Sequence, residues 1–316
     1  MTPFPLRFPA PVLALVLLLT CSAFPASAQA CGTTQILHVS PDGGTGGTAG
    51  SDWDTPASLQ HALAQANGNT NLNTCYEIRL KQGVYTPTTN ITARSARFAI
   101  DRPLRLRGGY TGNGDERVAN PGTTVLSGDI DGNDNNKTPE GITPSATDIQ
   151  GSNSHHVVVI GGLNPPQGNG TFRSFSWSTD YTLLERLTIT GGLADLVSGN
   201  AFPSGHGGGL TCNGVGNQGS PHLLQVQFLG NRAGMNGGAL ASQVQSDLLI
   251  EASLFRGNAA LRGGAIVSVG PGAVNQLQIR GSRFIGNGAT GDSAYGGAIY
   301  QLTGGVSSTP RITGTL

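Results

Sequence analysis

Charge is scarce in this chain. Asp, Glu, Lys and Arg make up 11% of its 316 residues, against about 25% in an average globular domain. The 18 basic and 18 acidic residues cancel, so no basic excess exists to follow a phosphate backbone, and no nucleic-acid partner is expected. Aromatic residues are only 6% of the chain. Trp53, Tyr85, Tyr110 and Trp177 are too scattered to define a sugar platform. Past the leader, no stretch approaches the roughly 18 apolar residues of a membrane-crossing helix, so no transmembrane segment is expected in the mature chain. The four cysteines include no CxxC or Cys/His spacing that would hold zinc.

What is present begins with a leader. Arg7 supplies a positive charge, Pro11 to Leu19 is apolar, and Ala26, Ser27, Ala28 and Ala30 are small, the layout of a secretory signal over residues 1–30. Thr20 stands before Cys21, where a lipidated cysteine favours Gly, Ala or Ser, so a cleaved signal is the better reading. An exported chain meets an oxidising compartment. Cys31 and Cys75 can therefore pair or stay free, and Cys212 is left as a buried thiol. Glycine is the compositional outlier, at 49 residues with no period of three. Either a linker or an architecture with a tight turn every few residues would use it, and 37% hydrophobic residues favour the second.

Ile36 to Val39 reads as a strand ending in the turn Pro41-Asp42-Gly43-Gly44. One helix follows: Thr55 can cap it, Pro56 takes its first position, and Leu59, Ala62, Leu63 and Ala66 share a face. From Tyr76 the period changes to two. Ile78 and Leu80 alternate with Glu77, Arg79 and Lys81, and Leu104 and Leu106 with Arg105 and Arg107. Val125 and Leu126, Val157 to Ile160 and Leu184 to Ile189 are further strands.

The C-terminal third carries an internal repeat. VQFLGN ends at Asn231, SLFRGN at Asn258 and SRFIGN at Asn287, and each precedes a glycine pair: GGAL at 237–240, GGAI at 263–266 and GGAI at 296–299. A weaker copy has Ile189, Gly192 and GGGL at 207–210. A unit this short, with two or three strands, cannot bury a face alone, so copies must stack at about 4.8 Å per coil. Phe228, Phe255 and Phe284 are then expected to form an aromatic stack, and Asn231, Asn258 and Asn287 an amide ladder at an inward turn. The glycine pairs admit positive φ and close approach.

At these residues the chain resembles the polymorphic outer membrane protein repeats of right-handed parallel β-helix proteins in the pectin-lyase-like superfamily. HVSPDGG and SLQHALAQAN are similar to the opening of bacterial surface β-helix proteins, the latter like the CSLREA-type motif; LRLRGGY, LSGDIDGND and LTITGG also recur in such proteins. The resemblance implies an all-β, single-stranded right-handed β-helix with one short capping helix. It implies a signal at 1–30, an N-terminal cap with irregular coils at 31–180, and regular repeats at 181–316. It also implies a secreted or outer-surface location, in a Gram-negative bacterium. Unlike in the best-known members, no C-terminal membrane barrel is expected within these residues. Ile312 stands where an aliphatic residue precedes Phe by five positions in each copy, as Leu223, Ile250 and Ile279 do, so the repeat series is expected to be incomplete at its C-terminus.

Such folds host both pectin-degrading enzymes and adhesive scaffolds, so the site must decide. Gly205-His206-Gly207 matches the GHG of polygalacturonases and makes His206 the catalytic candidate, with Arg311-Ile312 imitating their RIK. A hydrolase also needs two carboxylates. Asp180 and Asp195 are present without an NTD or adjacent DD pair, and an exposed polar residue in a glycine turn is the plainer reading of His206. Asp129, Asp131, Asn133 and Glu140 take the first, third, fifth and twelfth places of an EF-hand-like loop and are candidate Ca²⁺ ligands. Asp134 stands where that loop has glycine, so a solvated Asp/Asn turn competes. Arg94, Arg97, Arg102, Arg105 and Arg107 are the one basic concentration, where an anionic polysaccharide or host glycan could dock or which could simply be solvated. The reading favoured is a non-catalytic surface scaffold for adhesion, structural or glycan contact. The alternative is a polysaccharide lyase or glycoside hydrolase.

Overall fold

The computed structural model describes residues 33–71, 73–161, 182–195, 205–213, 221–243, 248–271, 277–291, 294–304 and 310–315. The leader and Cys31 lie outside them. The described chain is all-β and parallel, with a single α-helix. Its strands fall into four sheets, numbered here in the order a regular coil visits them. Sheet 1 has eight strands, sheets 2 and 4 have six each, and sheet 3 has four. Every pairing between these strands is parallel. Beyond the first two strands, Thr33–Gly44 and Thr74–Lys81, which pair with each other, a strand pairs not with its neighbour in sequence but with the equivalent strand one repeat away: Pro221–Leu224 with Leu248–Glu251, Gln227–Leu229 with Leu254–Arg256, Arg232–Ala233 with Ala259–Ala260, Leu240–Gln243 with Ile266–Pro271. The repeat unit thus carries four strands rather than two or three. The strand between the Asn and the glycine pair is two residues long and has no period to announce it.

Parallel register turns alternation into continuous rows, because every second residue of each strand faces inward. In sheet 1 the inward row runs Leu37, Ile78, Leu106, Leu184, Leu223, Ile250, Ile279, Ile312. In sheet 2 it runs Tyr85, Leu126, Ile189, Phe228, Phe255, Phe284. In sheet 4 it runs Phe98, Val158, Leu210, Leu240, Ile266, Ile299. Most of these residues belong to one hydrophobic core. A second inward row of sheet 4 changes character along the molecule, from Ile100 and Ile160 through Cys212 to Ser242 and Ser268.

Three local expectations need correction. The first strand is Thr33–Gly44 and includes the Pro41 to Gly44 segment, since Gly44 and Val39 both bridge to Ala57. Those bridges hold Ala57 extended and delay the helix to Leu59–Gly68, capped by Ser58, whose Oγ accepts from the His61 amide at 3.2 Å. The run Leu184 to Ile189 is two strands, Thr182–Glu185 and Thr188–Thr190, broken at Arg186 with φ +56°. The same left-handed corner recurs at Gln225, Ala252 and Gly281.

In the repeat Gly263-Gly264-Ala265-Ile266 the two glycines divide their work. Gly263 has φ +60°, whereas Gly264 is there for space: a Cβ on it would stand 2.3 Å from the Gly297 oxygen and 2.5 Å from that of Gly288.

Candidate functional site

The four corners of a coil are not alike. Sheet 1 passes to sheet 2 through two residues in every regular coil, 186–187, 225–226, 252–253 and 281–282. Sheet 2 passes to sheet 3 through two as well, 191–192, 230–231, 257–258 and 286–287. The corners on either side of sheet 4 vary. Sheet 3 reaches it through 195–209, 234–239, 261–265 and 290–298, and it returns to sheet 1 through 161–181, 214–220, 244–247, 272–276 and 305–310. Repeat folds that carry insertions on one side usually bind there, because loops can vary where the ladders do not depend on them.

The constant corners hold the ladders. Phe228, Phe255 and Phe284 stack with centroids 4.9 and 4.8 Å apart and planes within 5°. Beside them Asn231 Nδ2 donates to Asn258 Oδ1 at 3.1 Å, and Asn258 Nδ2 donates to Asn287 Oδ1 at 2.9 Å. The same oxygens accept the backbone N–H of Asn231 and Asn258, and each amide also donates to a main-chain oxygen one coil back, Phe228 O for Asn258 and Phe255 O for Asn287. Asn231 and Asn258 are buried, so these bonds satisfy groups that water cannot reach.

His206 is not an exposed turn residue. It is 4% exposed, and Asn236 Nδ2 lies 2.9 Å from its Nδ1. Burial, with Arg262 adding to it, pushes its imidazole below the usual range. Nearby, His156 is pushed down to about 4 by burial, its Nδ1 3.1 Å from the Gly207 oxygen. The reason lies in the corner: the turn before each strand of sheet 4 folds back over that sheet, so Thr211, Ala241 and Val267 beneath it are also buried. Asp195 does not join His206. It pairs with Arg94 at 2.9 Å and with His155 at 3.3 Å. Asp180 lies outside the described residues.

The Asp129 loop is closed by its own cation. Lys137 Nζ sits 2.7 Å from Asp129 Oδ2 and 2.6 Å from the Gly132 oxygen. Asp129 Oδ1 accepts the Asn133 amide, and Asp131 Oδ2 accepts from Asn133 Nδ2 and the Ser152 amide. Glu140 is exposed, and a bond from Thr138 holds its carboxyl below the usual range. The four expected ligands therefore do not converge, and among the described residues no group of three or more His, Cys, Asp or Glu could hold a metal ion. Spacing alone could not reveal that an ammonium takes the cation's place. Asp134, which breaks the loop pattern, is buried and bonded to Thr143 at 2.6 Å, and burial raises its pKa.

The arginine concentration is similarly dispersed. Arg102 donates to the oxygens of Ala66, Asn69, Asn71 and Thr74, Arg97 to that of Ser95, and Arg94 to Asn153 and Asp195. Arg107 bridges Glu77 and Glu185, and Arg79 joins Glu77 to Asp115. Burial works against the Glu185 carboxylate, yet Arg117 and Arg107 hold it below its usual range. Of the five, Arg105 alone is exposed on the strand face. Cys75 is disulfide-bonded and Cys212 is a buried free thiol, its ionisation pushed up by burial.

The repeat alignment hides one column from a reader of motifs. The residue before each glycine pair, His206, Asn236, Arg262 and Tyr295, forms a bridged row over the outer side of sheet 4. Its letters differ in every copy, so only the superposition of coils makes it visible. No family model matches the chain, and no curated protein or solved structure matches it.

Proposed function

We propose that this chain is a secreted or outer-surface right-handed parallel β-helix of the pectin-lyase-like kind, built from polymorphic outer membrane protein repeats. Its role is that of a non-catalytic scaffold that presents variable connections for adhesion, structural or glycan contact. The observation that carries this reading is the asymmetry of the corners: two are fixed at two residues, and both variable ones flank sheet 4. The commitment of Glu77, Glu185, Asp129 and Asp195 to Arg, Lys or His partners supports it further, since a hydrolytic pair needs carboxylates poised for proton transfer. The test replaces residues 162–181 by a short Gly-Ser link in the full chain. Unchanged circular dichroism and melting with lost attachment to cell surfaces is the expected result, and undiminished attachment refutes the reading. In parallel, turnover of pectate, alginate or glycosaminoglycan, with or without Ca²⁺, would establish the lyase or hydrolase alternative.

A further inference from the structure

The row before the glycine pairs contains chemistry that the fold leaves unused. Arg262 makes no ion pair among the described residues. Its guanidinium lies over the Tyr295 ring at 5.9 Å. Tyr295 is 55% exposed, and its ring centroid is 6.1 Å from that of Tyr300.

We infer that Arg262, Tyr295 and Tyr300 form a binding site for one acidic sugar unit of an extracellular glycan, an inference that rests on the surface-contact reading. Each group has a matching demand. The planar guanidinium binds a carboxylate or sulfate oxyanion through paired N–H donors. The tyrosine rings offer an apolar face with a polar rim, which suits the C–H face of a pyranose. The site holds one unpaired cation, and the chain has no net charge, which suits a single acidic group rather than a polyanion's whole backbone.

The experiment titrates the full chain calorimetrically with three hexasaccharides: a sulfated heparin fragment, an unsulfated uronate oligomer and neutral maltohexaose. An acidic probe is expected to bind at least tenfold more tightly than the neutral one, and which acidic probe wins identifies the oxyanion. Arg262→Gln should weaken that binding tenfold or more and Tyr295→Ala at least fivefold, with melting unchanged. Arg311→Gln, at an exposed position on sheet 1, should leave it intact. Failure of the wild type to bind either acidic probe, binding by Arg262→Gln equal to wild type, or equal weakening by Arg311→Gln each overturns the inference. Cell-surface attachment that depends on residues 162–181 but not on Arg262 would leave the surface-contact reading standing without this site.

Discussion

Acid should loosen this fold through His156 as pH falls below about 6.5. The side chain is almost wholly enclosed, with Gly207 O at 3.1 Å and Thr211 Oγ1 at 3.4 Å from Nδ1. Burial, the largest influence, and the neighbouring His155, Arg97 and His206 all disfavour the imidazolium, so its pKa falls from 6.5 to about 4. The folded pKa is depressed, so the unfolded chain binds the proton first. Stability is complete above about pH 6.5 and declines as pH falls toward 4, below which both states are protonated and this contribution levels off. At 1.36 kcal/mol per pKa unit the loss amounts to about 3 kcal/mol. Urea unfolding of the full chain at intervals from pH 7.5 to 4.5 should show the midpoint falling with an unchanged slope. His156→Gln, which keeps a polar group in the space, should lower stability at pH 7.5 but flatten the profile between pH 6.5 and 5. A variant profile parallel to that of the wild type would refute the argument.

Asn258→Ala removes the middle rung of the amide ladder: the Asn231 backbone N–H loses its acceptor and Phe228 O loses the Asn258 Nδ2 donor, while Asn231 Nδ2 keeps the Ile189 oxygen and Asn287 Oδ1 keeps the backbone N–H of residue 258. It should cost about 1–3 kcal/mol in chemical denaturation, against under about 0.5 for the exposed Asn135→Ala. Ala252→Gly relieves a φ of +48° and should raise stability by about 0.5–1 kcal/mol, whereas Gly264→Ala, which meets two carbonyl oxygens, should cost about 3 kcal/mol or prevent folding. Equal melting of those two variants would contradict the division of labour between corner and contact. Lys137→Met strands the enclosed Asp129 carboxylate and should cost about 3 kcal/mol, with Asp129→Asn in the same chain restoring much of it. Because Lys137 occupies that carboxylate, the wild type should release no heat on titration with millimolar Ca²⁺.

Periodicity made part of this architecture readable in advance. Ile78, Leu80 and Leu106 alternate with charge and are buried, and the FxxN and GGA[IL] spacings put Phe228, Phe255 and Phe284 on paired strands of one sheet. What escaped had no period. Leu193–Ala194 and its counterparts are too short to alternate, and the helix start was moved by a strand bridge at Ala57 that local capping rules do not see. Site reading failed for a different reason. His206, the Asp129 loop and the arginines stand out by residue type, but their behaviour is set by partners far off in sequence, such as Asn236 for His206 and Glu185 for Arg107. Arg262 and Tyr295 carry no signal in the sequence, because no motif repeats them.

The wholly parallel pairing also fixes how the molecule carries load. Hydrogen bonds between coils point along the stacking direction, so tension applied evenly across a coil pulls on the bonds of all four sheets and the Asn231–Asn258–Asn287 chain together. Tension applied at one corner meets only the strand nearest it and can peel a coil away strand by strand. A partner gripping both variable corners of sheet 4 would therefore meet a stiffer protein than one gripping either alone.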